Sequence, residues 1–430
     1  NETKLPAQWD LQSCIDYALE QNITIRKNRV TAASTQIDVK TAKAALFPSL
    51  SFSTSQQVVN RPYQESSSRV SGSEIISTNS KTSYNGNYGL NASWTLYNGS
   101  KRLKTTQQEK LNNQVAELDV ATSENSIQES IAQIYIQILY AAESVRVNEN
   151  TLQVSIAQRD RGQELLNAGS IAKSDFAQLE AQVSTDRYQL VTAQATLQDY
   201  KLQLKQLLEL DGENEMNIYL PALSDENVLS PLPAKRDVYV SALALRPEIE
   251  ASKLNVNASE LGIDIAKSGY LPTVSLSAGI GTNHTSGSDF TFSEQVKNGW
   301  NNSIGLSVSV PIFNNRQTKS AVQKAKLQYE TSMLSLLDEQ KALYKTIEGL
   351  WLDANSAQQR YAAANEKLKS TQISYNLISE QFNLGMKNTV ELLTEKNNLL
   401  QAQQEQLQAK YMAILNTQLL KFYQGDKLAL

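Results

Sequence analysis

Side chains able to do chemistry are few in this 430-residue chain, and they are scattered. The single histidine, His284, lies in a polar stretch with no cysteine or second histidine beside it. A zinc site needs several such ligands and a Ser-His-Asp relay needs an orienting acid, so neither chemistry is credible there. The single cysteine, Cys14, sits in Leu11-Gln12-Ser13-Cys14-Ile15 on a short apolar helical face. It has no partner for a disulfide and reads as a small buried thiol. Gly279-Ile280-Gly281 is too short for a nucleotide-binding fingerprint and falls inside a strand pattern. No glycine loop cradles a phosphate, and no pair of carboxylates flanks a pocket-like segment as glycoside hydrolysis requires. Isolated acids remain, such as Asp175 and Glu391, each opening a helix pattern where a carboxylate complements the helix dipole. The expectation is a chain without catalytic residues, metal or cofactor, and not an enzyme.

Composition narrows the partners. Forty basic and 44 acidic residues give a net charge of -4 with no long run of either sign, which removes the footprint of a nucleic-acid binder. Only 40% of residues are apolar, which favours long amphipathic elements over one thick interior. Nowhere does the chain approach the roughly 18 to 20 consecutive apolar residues of a membrane-spanning helix, so any crossing of a bilayer must use strands. No basic, apolar leader precedes Asn1. The chain therefore reads as cytosolic, or as a mature chain whose secretion signal has been removed, and the strands described next favour the second.

The elements that would position these residues are written twice. Ala18-Leu19-Glu20-Gln21-Asn22-Ile23-Thr24-Ile25 aligns with Ala242-Leu243-Ala244-Leu245-Arg246-Pro247-Glu248-Ile249, and Phe47-Pro48-Ser49-Leu50 meets Leu271-Pro272-Thr273-Val274 at the same offset. Thr95-Leu96-Tyr97-Asn98-Gly99 then matches Pro311-Ile312-Phe313-Asn314-Asn315, and Gly169 matches Gly385, at a second, constant offset. The length change falls in the loop after Ser53, where surface loops vary. Each half predicts a short helix, a medium helix, a strand, a polar loop, a strand, a very long helix, a tight turn and a long returning helix. Asp211-Gly212 and the stretch carrying Pro221, Pro231 and Pro233 read as the connector.

Period-two alternation marks the strands. Tyr84, Gly86, Tyr88, Leu90, Ala92, Trp94 and Leu96 face one way, and Asn85, Asn87, Gly89, Asn91, Ser93 and Thr95 the other. Val274, Leu276, Ala278 and Ile280 alternate with Ser275, Ser277, Gly279 and Gly281. Trp300, Ile304, Leu306, Val308, Val310 and Ile312 form a third set, and Leu50 and Phe52 open a fourth. Any one of these would suit a soluble sandwich. As a set, small or polar on one face with Trp and Tyr toward the ends, they suit a transmembrane barrel with a wet interior. Four strands cannot close such a barrel, so copies of the chain must share it. The loops at 65–81 and 283–298 are long and polar, as external loops are.

The long helices run from about Ser100 to Leu166 and from about Asn315 to Leu384, free of proline. Each would be roughly 100 Å long at 1.5 Å per residue. Ile127, Ile131, Ile134, Ile138, Ala141, Val145 and Leu152 recur in steps that mostly alternate three and four, the seam of a coiled coil. Gly169 and Gly385 supply the left-handed stop, and returning helices reach about Glu209 and Phe422.

With these pieces in this order, the chain resembles the TolC family of outer-membrane factors. The resemblance covers nearly the whole sequence and rests on Leu243-Ala244-Leu245-Arg246-Pro247-Glu248-Ile249, the two proline entries into strands, and the duplicated strand-to-helix corners. It implies a mostly α fold with a transmembrane β part, in two structural repeats, each a β-hairpin plus long coiled-coil helices. It also implies a homotrimer with a 12-stranded β-barrel and a periplasmic α-helical barrel. By that resemblance residues 48–97 and 271–313 are barrel hairpins, and 22–47, 98–210, 248–270 and 314–423 form the helical barrel. Residues 1–21, 211–247 and 424–430 form an equatorial, mixed region. The aromatic belt is Tyr84, Trp94, Tyr97, Trp300 and Phe313.

The implied function is an exit duct in the outer membrane of a Gram-negative bacterium, serving a tripartite efflux pump or type I secretion system. Its implied partners are a periplasmic adaptor protein, an inner-membrane transporter and outer-membrane lipid. The gate would lie at the periplasmic tip turns, Gly169 and Gly385. Asp175 stands where the family places a carboxylate tying neighbouring helices, but Phe382 and Lys387 replace its tyrosine and arginine partners. Phe382 has no hydroxyl and lysine makes no bidentate fork. Glu391 falls where the family has a pore-facing aspartate, and Thr394 replaces a second. One carboxylate ring would suit cation selectivity. The competing reading from another class is a soluble coiled-coil scaffold or adhesin, its strands packed as a small sandwich.

Overall fold

The computed structural model describes residues 6–63, 65, 67–71, 73–78, 81–211 and 216–430. Asn1-Glu2-Thr3, Gly212 of the connector and parts of the 65–81 loop lie outside the described residues. The repeat is explicit in the elements. Helices α1 (Leu11–Gln21) and α2 (Ile23–Ala44) have counterparts in α6 (Lys235–Leu245) and α7 (Pro247–Lys267). Helix α3 (Lys101–Asn167) and helix α9 (Gln317–Asn383) each hold 67 residues. Their returns are α4 (Lys173–Leu207) and α10 (Thr389–Gln424). A short helix, α5 (Asp225–Val228), lies in the connector.

The chain divides into two compact units. One comprises Ala32–Ala116 and Ser252–Ser335 and holds an antiparallel sheet. Its strands are β1 (Ser49–Asn60), β4 (Thr82–Asn98), β5 (Thr273–Thr285) and β6 (Asn301–Ser309), in the order β1-β4-β5-β6. The expected loop at 65–81 is not shapeless: β2 (Ser67–Ser71) pairs with β3 (Glu74–Thr78). Between β5 and β6 sits α8 (Phe292–Asn298), opened by a Thr291/Glu294 capping box.

Two strand limits differ from the sequence expectation. A register shift between Thr95 and Tyr97 sets Tyr97 opposite Val274, so Tyr97 rather than Leu96 continues the apolar row. A bulge of this kind inserts a residue and resets the alternation. Strand β6 ends at Ser309, short of Val310 and Ile312, because Pro311 has no N–H for the ladder. The two corners into the long helices use consecutive left-handed residues, Gly99 and Ser100 in one repeat and Asn315 and Arg316 in the other. Helix α9 therefore begins at Gln317.

The other unit comprises Asn1–Thr31, Glu117–Ala251 and Leu336–Leu430. Its main core gathers Cys14 and Ile15 of α1, Ile131, Tyr135 and Ile138 of α3, Leu204 of α4, Tyr361 of α9 and Ile414 of α10. Four seam positions, Ile131, Ile138, Ala141 and Leu152, are fully or nearly fully buried, as a heptad seam requires. Cys14 is enclosed as expected, and burial pushes its thiol up to about 12, which keeps it protonated and inert. A second cluster packs Val238 and Ala242 of α6 and Ile249 of α7 against Leu343 and Ile347 of α9 and Leu420 of α10. At its border Arg246 pairs with Glu129 at 3.1 Å and Glu248 at 2.7 Å, and lies over the ring of Tyr423 at 4.1 Å. Burial raises the Glu129 carboxyl above its ordinary range despite the arginine. The Arg246-Pro247-Glu248 run thus ties α3, the start of α7 and the end of α10 together. Pro247 opens α7 where its missing N–H costs nothing.

Candidate functional site

Two features of the chain could serve a conduit: the sheet, and the ends of the long hairpins. In the sheet, directly paired residues share a face. One face carries Leu50, Phe52, Leu90, Trp94, Leu276, Ile280, Ile304 and Leu306. The opposite face carries serine, asparagine and glycine: Ser51, Ser53, Asn87, Asn91, Ser277, Gly281, Ser303 and Ser307. The apolar face is open to the surroundings, with Phe52 66% exposed, Ile304 78% and Leu306 65%. A water-soluble sandwich buries that face, and here it is not buried.

The expected belt residues fall in two rows. Trp94, Tyr97 and Phe313 stand at the helix ends of the strands, while Tyr84 and Trp300 stand at the opposite ends, and all five are exposed. Tyr84 and Trp94 are separated by roughly 33 Å along β4 at about 3.3 Å per residue. The Trp94 indole donates to the Leu46 carbonyl at 2.8 Å and is thereby held in place. His284 stands on the apolar face opposite Gly86, where a β-carbon at Gly86 would strike its ring. It stacks on Tyr88 and meets Phe292 of α8 edge-on, which is a packing role and no ligand set.

At the hairpin ends Gly169 and Gly385 have φ of 75° and 74°. Ser170 donates to Leu165 and Gly169 to Leu166 across the first turn, and Met386 to Gln381 and Gly385 to Phe382 across the second. These paired bonds are the Schellman closure that a left-handed glycine allows. Asp175 lies in the first turn of α4 and its carboxylate accepts from the Ala172 N–H at 3.3 Å. Glu391 forms a capping box with Asn388 and pairs with Lys387 at 2.6 Å. The Lys387 hydrogen bond, with the Asn388 N–H, holds the Glu391 carboxyl below its ordinary value. Phe382 is buried within its own chain. Within one chain, then, the four expected gate residues are engaged near their own helix ends.

A cluster that sequence reasoning missed lies further along these helices. Lys396 of α10 donates to Asp186 of α4 and to Ser155 of α3, and Ser155 also donates to Asp186. Burial is the largest influence on Lys396 and pulls its pKa down, while Asp186 opposes the shift. Gln158 of α3 donates to the Tyr375 hydroxyl of α9 at 2.8 Å nearby. Asp186 and Lys396 look like ordinary surface charges in the sequence. Only their i, i+3 and i+4 relation to Val183, Leu392 and Leu399 hints that they face inward. Among the described residues no group of acids, cysteines and histidine could hold a metal ion. None of their helices is long and apolar enough to cross a membrane.

Comparison with known proteins gives this arrangement its class. The family described as outer membrane efflux protein matches residues 14–209 and 238–425, and the chain belongs to that family. Outer membrane protein TolC of Escherichia coli (strain K12) is 24% identical over 341 residues, 76% of this chain and 66% of TolC. Outer membrane efflux protein BepC of Brucella suis is 24% identical over 68% of this chain and 61% of BepC. The matched region thus spans less than two thirds of these relatives. Among solved structures, CusC superposes with a TM-score of 0.82 at 18% identity, covering 99% of this chain and 96% of that one. VceC of Vibrio cholerae superposes with a TM-score of 0.78 at 17% identity, covering 97% of each. The fold is that of these outer-membrane channels, mostly helical with a small sheet, and the family is one of channel proteins.

Proposed function

We propose that the chain is the exit duct of a tripartite efflux pump or type I secretion system in a Gram-negative outer membrane, a passive conduit and not an enzyme. The observation that carries this reading is the sheet with one open apolar face and one face of serine, asparagine and glycine. Its outer strands β1 and β6 have free edges in a single chain, which lipid does not tolerate, so neighbouring copies must pair them. Three copies complete a ring of twelve strands with the apolar face toward lipid and the polar face toward water. The roughly 33 Å between the aromatic rows, tilted by about 40°, gives a band of roughly 25 Å, the height of a barrel's apolar belt.

In this reading the long helices stand in the periplasm and meet an adaptor protein and an inner-membrane transporter, which supplies the energy. Asp175, Phe382, Lys387 and Glu391 form the gate beside the Gly169 and Gly385 turns, and opening it spreads the hairpins. The test is electrical. Outer-membrane fractionation followed by reconstitution in a planar bilayer should give discrete conductance steps. A detergent-independent, electrically silent monomer would return the scaffold reading.

A further inference from the structure

Each of the four crossings between strand and helix carries an exposed aromatic ring with basic residues on its helix side. Lys40 and Lys43 precede Phe47, while Lys101, Arg102 and Lys104 follow Tyr97. Lys267 precedes Tyr270, and Arg316 and Lys319 follow Phe313. Within seven residues of those rings, these eight basic residues meet a single acid, Asp264. Lys104 at 3.1 Å and Lys267 at 3.6 Å share it. Among the described residues no ion pair engages Lys43 or Lys319, and both are exposed.

Two of these lysines have a local explanation and two do not. Lys43 and Lys267 stand in the last turns of α2 and α7, where a cation complements the helix dipole. Lys104 and Lys319 stand in the first turns of α3 and α9, where the dipole repels a cation, and neither turn holds an acid. Charge gathered against the dipole is offset only by an anion outside the chain. Lys43 shares a helix face with Phe47, four residues on, and Lys267 with Tyr270, three residues on. Lys319 follows Thr318, which bonds the Gly269 carbonyl, and so turns away from that contact by about 100°. Lys101 lines a recess beside Thr95 and Thr273 on the polar side of the sheet, and Arg102 donates to the Thr95 carbonyl, so those two are engaged elsewhere.

We propose that Lys43, Lys104, Lys267 and Lys319 form a collar that binds the headgroup phosphates of anionic phospholipids in the leaflet facing the helices. This rests on the duct reading above, in which the apolar sheet face meets lipid. Aromatic rings settle at headgroup level, and lysine stems reach from there toward phosphate. Each of the four helices that meet the sheet contributes one lysine, so the collar continues around a ring of copies. A lysine beside an acidic membrane surface strengthens binding roughly five-fold, and salt weakens the effect. The collar therefore selects acidic lipid at one end of the barrel.

The test is tryptophan quenching in the full-length protein, reconstituted in mixed vesicles of phosphatidylglycerol and phosphatidylcholine with bromine on the chains of one lipid or the other. A Trp300→Phe background leaves Trp94 as the reporter in the sheet, since Trp9 and Trp351 lie in the other unit and give a constant signal. Brominated phosphatidylglycerol should be preferred at Trp94 by at least ~5-fold. That preference should vanish in the combined Lys43→Gln, Lys267→Gln, Lys319→Gln variant and persist when the same three are changed to arginine. In the unsubstituted collar it should vanish at about 1 M salt, where screening acts over about 3 Å. Equal quenching by the two lipids, or a preference that survives high salt or the glutamine variant, overturns the collar and leaves the duct intact. Quenching of Trp94 by neither lipid overturns both, because the sheet is then not in the bilayer.

Discussion

Lys396 and Asp186 form an ion pair whose side chains are only 4% and 2% exposed, joining α10 to α4, with Ser155 of α3 bonded to both. Placing two charges there costs desolvation that their attraction only partly offsets. Such a pair adds little net stability, and here it links α3, α4 and α10 at one level.

Removing one partner should therefore hurt more than removing both. Lys396→Met or Asp186→Leu alone strands a buried charge and should cost about 3–5 kcal/mol, while the double variant should recover much of it. Thermal unfolding followed by far-ultraviolet circular dichroism checks this. Additive losses would mean that the two residues do not act as a pair.

The gate reading makes an electrical prediction. Asp175→Asn combined with Glu391→Gln should raise open probability in planar bilayers, because both carboxylates anchor the first turns of the returning helices. Unchanged opening would count against a gate at these residues.

The sheet faces predict opposite responses to charge. Leu306→Arg, on the apolar face, should destabilise insertion by roughly 2–4 kcal/mol at mid-membrane depth, whereas Ser307→Arg should be tolerated. Denaturant titration of the protein folded into lipid vesicles separates the two. Equal penalties would mean that the faces are not one lipid-facing and one aqueous.

The Arg246 node gives a pH dependence. Burial raises the folded pKa of Glu129 above its unfolded value, so its contribution to stability is full below about 4.5, the ordinary glutamate value, and falls as pH rises through the folded pKa. Glu129→Gln should flatten the stability profile in that window. An identical profile in the variant would place the titration elsewhere.

The turns offer a conformational prediction. Gly385 has a left-handed φ, and a β-carbon there would meet nothing within 4 Å, so Gly385→Ala should cost only the backbone penalty, about 1–2 kcal/mol. A much larger loss in the same thermal assay would show contacts at the turn beyond those within one chain.

Much of this was legible in the sequence because it is periodic. The two long helices, the glycine turns and the alternating strands follow from spacing alone, and the doubled offset aligned the repeats. What escaped was local or tertiary. Leu96 and Tyr97 exchange roles through a bulge that alternation cannot foretell, and β2 and β3 arise in a stretch too polar to look like strands. The inward turn of Asp186 and Lys396 depends on which helices lie beside them, and neither residue type announces burial. For Asp175 and Lys387 one chain shows only local bonds, to the Ala172 N–H and to Glu391, and the contacts that the resemblance implies for them need more than one chain to test.

Equal arms have a consequence for how such a chain can change length. Helices α3 and α9 match residue for residue in count, and their turns stand level, since Gln158 bonds Tyr375 and Gln182 bonds Asn397 at matching distances from Gly169 and Gly385. Losing one heptad from a single arm would withdraw its tip by about 10 Å and unseat every cross-hairpin bond beyond the cut. Insertions and deletions are therefore admissible only as matched sets, one in each of the four arms, which makes the reach of the hairpins a quantity that evolution must adjust in concert.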